Sequence, residues 1–247
     1  MPSALVSVVV DAVEPERLAR FWGGLLGRDV REDEDGIWVV SPESRSGTKQ
    51  FALDFQPSDE PRRGPNQVHF HVTSTSRDDM EARIAAALEL GGQHIDVGQT
   101  PDEGHVVLAD PEGNEFCVIE PGNTYLADTD LLGELACDGS RACGEFWSEA
   151  LGWPLVWDEG DETAIQSPAG GAKVAWGGPP VAPKLGKNRI HLDIAPPVGA
   201  DQQLEVERLI GLGARRHDIG QDGSDSGIDW VVMADPDGNE FCLLTPR

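Results

Sequence analysis

Apolar and polar positions in the first 120 or so residues switch repeatedly between a period of two and a period of 3.6, which predicts short strands alternating with amphipathic helices. Leu5 to Val10 reads as a strand sending Val6, Val8 and Val10 to a core and Ser7, Val9 and Asp11 to the other face. A helix follows from Pro15, suited to a first helical position, to Gly27 as its C-cap, with Leu18, Phe21 and Leu25 on one face. Strands are predicted near Val30, from Ile37 to Val40 and from Phe51 to Phe55, the last with Ala52 and Asp54 opposite its phenylalanines. Val68-His69-Phe70-His71-Val72 alternates cleanly, so its two histidines share the face away from the core. A second helix from Ser76 to Leu90 carries Met80, Ile84 and Leu88 on one side and stops at Gly91-Gly92. Strands near Val106 to Leu108 and Phe116 to Glu120 are joined by an Asp-Pro-Glu-Gly-Asn turn, in which proline fixes φ and glycine permits a positive one.

The whole pattern then recurs. Asp110-Pro111-Glu112-Gly113-Asn114-Glu115-Phe116-Cys117 returns as Asp235-Pro236-Asp237-Gly238-Asn239-Glu240-Phe241-Cys242, and Phe21-Trp22 returns as Phe146-Trp147, both at an offset of 125. His69 matches His191 at 122, where Ile190, Leu192 and Ile194 face inward and His191 and Asp193 outward. The halves are residues 1–122 and 131–247, with Pro121 to Asp130 as a short linker. The expected fold class is α+β, two βαβββ units per half and four in the chain.

Composition narrows the function classes. A chain of 247 residues can bury a core without disulfide or metal staples. Its 19 Lys and Arg against 44 Asp and Glu leave a charge of −25, which repels nucleic acid and anionic membrane surfaces. No apolar run approaches the roughly 18 residues of a membrane span, and Met1 to Val6 has no basic region before an apolar stretch, so a cytoplasmic location is expected. The cysteines at 117, 137, 143 and 242 form no CxxC pair and are expected to be reduced thiols.

The βαβββ pairs, the helix from Pro15 to Trp22, the two Asp-Pro-x-Gly-Asn-Glu-Phe-Cys hairpins and the strand from His191 to Ile194 together resemble the glyoxalase/bleomycin-resistance/dioxygenase superfamily, the vicinal oxygen chelate proteins, in its glyoxalase-like branch. The resemblance spans essentially the whole chain as two tandem copies. It implies that two units form an eight-stranded cup with helices on the convex side and a small-molecule cleft on the concave side; each half reads as one such cup, with pairing of units within a half or by exchange left open. Metal-using members draw ligands from four strand positions, which look like Ser7, Asp54, His69 and Cys117 in the first half and Leu132, Ala175, His191 and Cys242 in the second. Of the two-His, one-carboxylate set that the ring-cleaving dioxygenases resemble, only His69 is present, which disfavours that reaction.

Asp54, His69, His71 and Cys117 nevertheless supply O, N and S donors, and histidines two apart on a strand lie about 6–7 Å apart, within reach of one ion. A divalent Zn, Ni, Mn or Fe site is therefore an alternative in the first half, against the reading of a solvated cleft wall. The expected cleft residues are Ser7, Asp11, His69, His71, His105, Cys117 and Glu134, with His191, Asp193, Trp230 and Cys242. By the repeat offset Trp230 stands where the first half has His105. If the cleft is catalytic, Asp54 and Glu115 are the candidates to move a proton. The favoured expectation is a protein that binds a small apolar or aromatic molecule without a cofactor, resembling the metal-free sequestering members whose usual role is resistance to a natural product. The alternatives are a metal-dependent lyase or isomerase and a non-catalytic interaction module, with a homodimer left open.

Overall fold

The first unit comprises β1 (Ala4–Ala12), α1 (Pro15–Leu26), β2 (Val30–Glu32), β3 (Trp38–Val40) and β4 (Ala52–Pro57). The second is β5 (Val68–Val72), α2 (Arg77–Glu89), β6 (Gln93–His94), β7 (Val106–Ala109) and β8 (Glu115–Val118). The third is β9 (Leu132–Cys137), α3 (Arg141–Leu151), β10 (Leu155–Glu159), β11 (Glu162–Gln166) and β12 (Lys173–Trp176). The fourth is β13 (Ile190–Ala195), α4 (Gln202–Gly211), β14 (Arg215–Arg216), β15 (Trp230–Ala234) and β16 (Glu240–Leu244). This computed structural model describes residues 2–43, 51–100, 103–219 and 230–247. Local chemistry sets the element ends. Pro15 opens α1, Gly27 closes it in the left-handed region at φ 63°, and the Ser76 side chain caps α2 by accepting from the Asp79 N–H.

The strands form two eight-stranded sheets, ordered β14-β15-β16-β13-β1-β4-β3-β2 and β10-β11-β12-β9-β5-β8-β7-β6. The outer cup thus joins the first and fourth units through β1 and β13, and the inner cup joins the second and third through β5 and β9, both seams antiparallel. The expectation that each half closes its own cup is corrected, because each cup takes one unit from each half. The third unit lies beside the second in one sheet, and the first and last units pair with each other in the other.

The two sheets are stitched together through their helices, while the strand seams join the halves. Trp22 on α1 packs edge-on against Phe70 and Phe116 of the inner sheet at centroid distances of 4.8 and 5.1 Å, while α1 also lies against β3 and β4 of the outer sheet. Trp147 on α3 repeats this against Phe241 of the outer sheet at 5.0 Å, while α3 also lies against β11 and β12 of the inner one. Each indole N–H donates to a hairpin carboxylate, Trp22 to Asp110 at 3.2 Å and Trp147 to Asp235 at 3.3 Å. The repeated Phe-Trp and Asp-Pro-x-Gly-Asn motifs are therefore two sides of one contact. The convex faces of both sheets share one continuous apolar core.

Two face assignments differ from the alternation. A β-bulge between Leu5 and Ser7 puts Leu5 on the core and Val6 on the concave cavity wall, so Val6 does not follow Val8 and Val10 inward. On α2, Leu88 is exposed, and Ala87 is the buried residue of that turn. The predicted linker is also more than a connection. Leu126 and Tyr125 fold over the concave side of the inner sheet against Val107, Cys117 and Ile119.

Candidate functional site: two unlike concave clefts

In the inner cup, β5 presents His69 and His71 side by side, their Nε2 atoms 3.0 Å apart, a hydrogen bond that needs one proton between them. The Nδ1 of His71 lies 2.6 Å from Oε2 of Glu134, its direct partner on β9. Tyr125 donates its hydroxyl to the other oxygen of Glu134 at 2.6 Å. Lys173 on β12 donates to the Tyr125 carbonyl and lies 4.1 Å from the centre of the Tyr125 ring. Burial alone would lower the pKa of His71, but the neighbouring Cys117 and Glu134 raise it to about 9. Burial and the adjacent His71 push His69 down to about 4. Glu134, which burial alone would raise, is held below the ordinary carboxylate range by His71 and Tyr125. At neutral pH the chain therefore reads Tyr–OH, carboxylate, imidazolium, imidazole, with a donor facing an acceptor at every step.

Above this floor is a cavity of about 440 Å³ walled by Trp157, Trp176 and Ala175, with His69, Tyr125 and Glu134 at its base. Tyr125 and Trp157 meet edge-on at 5.6 Å. Thr163 Oγ1 is the one cavity-lining atom of this cup that is buried with no hydrogen-bond partner among the described residues.

The outer cup has a smaller cavity, about 250 Å³, lined by Ser7, Asp54, His191, Asp193, Cys242 and Trp230 among others. Four of its buried atoms have no hydrogen-bond partner among the described residues: Ser7 Oγ, Asp54 Oδ1, His191 Nδ1 and Asp193 Oδ1. Burial and the nearby Asp54 raise Asp193 to about 7, and burial with the nearby Lys187 ammonium lowers His191. Burial also raises Asp54 and Cys242.

Strand register makes the two cups comparable position by position. Ser7 pairs with Asp193 and with Ala52, as Glu134 pairs with His71 and with Lys173. Val9 pairs with His191 and Asp54, as Ala136 pairs with His69 and Ala175. Where the inner cup has the Glu134–His71 ion pair and Ala175, the outer cup therefore has Ser7, Asp193 and a second carboxylate, Asp54. The counterpart of Ser7 is thus Glu134, and the match to Leu132 is corrected. Matching register shifts, at Val6 on β1 and at Gly133 on β9, turn Leu5 and the fully buried Leu132 to the core.

The structure redistributes the sequence-level candidates. Asp54 belongs to the outer cup, because β4 joins β1, so the set Asp54, His69, His71 and Cys117 is divided between two sheets. Donor atoms do gather within 4.8 Å of one another as His69, His71 and Cys117 in the inner cup and as His191, Asp193 and Cys242 in the outer. Glu115 is tied up in the hairpin anchor by an ion pair with Arg62 and by the Asn66 side-chain amide, which donates to it at 3.1 Å. Asp11 is buried beside the outer cavity, held by Gln56 and Lys187 at 2.6 Å each. His105 lies 3.6 Å from Glu103 in a separate surface cavity with Arg77 and His94. Tyr125, Lys173 and Trp157 were not among the expected cleft residues. The one available signal was that the only tyrosine of the chain falls in a polar connecting segment.

The glyoxalase-like domain model matches this chain twice, over residues 7–119 and 134–244, and the chain belongs to that family. Among solved structures it is similar to glyoxalase I from Zea mays, at 16% identity and a TM-score of 0.66, with 98% of this chain and 92% of that one covered. It is also similar to a putative dioxygenase from Bacillus subtilis, at 15% identity and a TM-score of 0.60, covering 99% of this chain and 85% of that one. These likenesses show the fold alone. No curated protein matches the chain. None of the described helices is long and apolar enough to cross a membrane.

Proposed function

We propose that the inner cup binds a small aromatic or apolar molecule and that it does so without a resident metal ion. The observation that carries this reading is the closed chain on the cleft floor, in which Tyr125, Glu134, His71 and His69 bond one another. The donor set fits an ion poorly as it stands. Nε2 of both histidines is spent on their mutual hydrogen bond, and a metal would have to displace the proton that Glu134 holds on His71. Above the floor, Trp157 and the Tyr125 ring give flat apolar surfaces for a planar ligand.

Intrinsic tryptophan fluorescence of chelator-treated protein, titrated with a panel of planar aromatic compounds, tests the proposal. Saturable quenching is expected, and Trp157→Ala should weaken it by about tenfold, the equivalent of about 1.4 kcal/mol. Stoichiometric Zn, Ni, Mn or Fe that is lost in His71→Ala, together with binding only when the metal is restored, would overturn it.

A further inference from the structure

The two cups share a fold and a register but differ in how their polar groups are satisfied. In the inner cup the floor satisfies itself. In the outer cup Ser7 Oγ, Asp54 Oδ1, His191 Nδ1 and Asp193 Oδ1 line one cavity with no hydrogen-bond partner among the described residues, His191 Nε2 standing 3.5 Å from Asp193 Oδ1, and Ser7 and His191 are only 1% and 7% exposed. Buried polar atoms are rarely left unpaired, because each costs about 1–3 kcal/mol. Four in one small cavity point to an external group that pairs with them.

The chemistry of that group follows from the four atoms. Two are carboxylate oxygens, which when ionised only accept, and the serine hydroxyl and the imidazole nitrogen can each accept as well. A donor of several hydrogen bonds would satisfy all four atoms at once. Nearby positive charge is largely committed elsewhere: Lys187 lies 2.6 Å from Asp11, and Lys184 is paired with Glu240. Asp33, Asp35, Asp54 and Asp193 then outweigh Arg247 around the cavity. Trp230, 37% exposed, adds an indole surface to the wall.

We infer that the outer cup is a second binding site, selective for a small organic cation whose ammonium or amidinium group bonds Asp54 and Asp193 while its body lies against Trp230. The two cups of one chain would then take ligands of different chemistry, and this inference stands independently of the aromatic ligand proposed for the inner cup.

Isothermal titration of the full chain with n-butylamine, 1,4-diaminobutane and benzamidine, beside the uncharged n-butanol and benzamide, tests it. Saturable binding is expected for at least one cation, about tenfold or more tighter than its uncharged counterpart. Asp54→Asn should weaken binding about tenfold, and Trp230→Ala, a change at a partly exposed wall position, by several-fold. Quenching by the inner-cup aromatic ligand should be unchanged in both variants. Cations that fail to bind, uncharged analogues that bind equally well, or saturable binding of Zn(II) or Mg(II) with none of the amines would each overturn the inference.

Discussion

Replacing Glu134 with Gln isolates the charge that holds a proton on His71. The amide keeps the size of the carboxylate and can still accept from Tyr125, but it cannot stabilise an imidazolium 2.6 Å away. His71 has a folded-state pKa raised to about 9, against about 6.5 in the unfolded chain. A raised pKa contributes stability that is fully present below the unfolded value and is lost as pH rises through the folded one. At pH 7 the linkage amounts to about 2–3 kcal/mol, within the smaller end of what breaking a buried pair costs. Glu134→Gln should therefore cost up to about 2–3 kcal/mol at pH 7, Cys117 retaining part of the effect, and the difference from the parent chain should shrink toward zero near pH 10. Urea unfolding of both proteins at several values between about pH 6 and pH 10 measures it directly. A penalty that stays constant across that range, or none at pH 7, would refute the ion pair as the source of the effect.

Two further outcomes follow from packing and topology. Gly144→Ala on α3 should destabilise by about 1–3 kcal/mol in chemical denaturation, despite alanine's better helix propensity, because the new Cβ would overlap the Thr163 hydroxyl and sit 2.6 Å from Thr163 Cβ. A fragment of residues 1–122 retains β1 and β5 but loses their partners β13 and β9. Size-exclusion chromatography and circular dichroism should find it unfolded or self-associated through those open edges, and a folded monomer would contradict the crossed pairing.

The element order was readable from the sequence because burial imposes strict periods on it. Val68, Phe70 and Val72 are buried and send the histidines between them to the concave face, as alternation requires. The pairing of units was not readable, since β1 and β5 carry equivalent patterns and either could seam with the first strand of the other half. That choice is visible only in the assembled chain, where β1 seams with β13 and β5 with β9. The same limit divided the proposed donor set, because Asp54 and His69 share a sequence repeat but not a sheet. The Ser7 counterpart is Glu134 rather than Leu132 because the strands correspond at an offset of 127 and the following helices at 125, a two-residue difference between strand and helix that a fixed repeat offset passes over. Tyr125 was hidden for a different reason. Its role depends on a segment without periodicity folding back over Glu134.

The most direct test of the inner cup as a metal-free aromatic site is a crystal structure of the ligand-soaked protein, with anomalous data collected at the edges of zinc, nickel, manganese and iron. The account predicts ligand density against Trp157 and Tyr125, with the His69–His71–Glu134 chain intact and no anomalous peak beside it. An anomalous peak bridging His69, His71 and Cys117, with both imidazoles turned onto the ion, would contradict it.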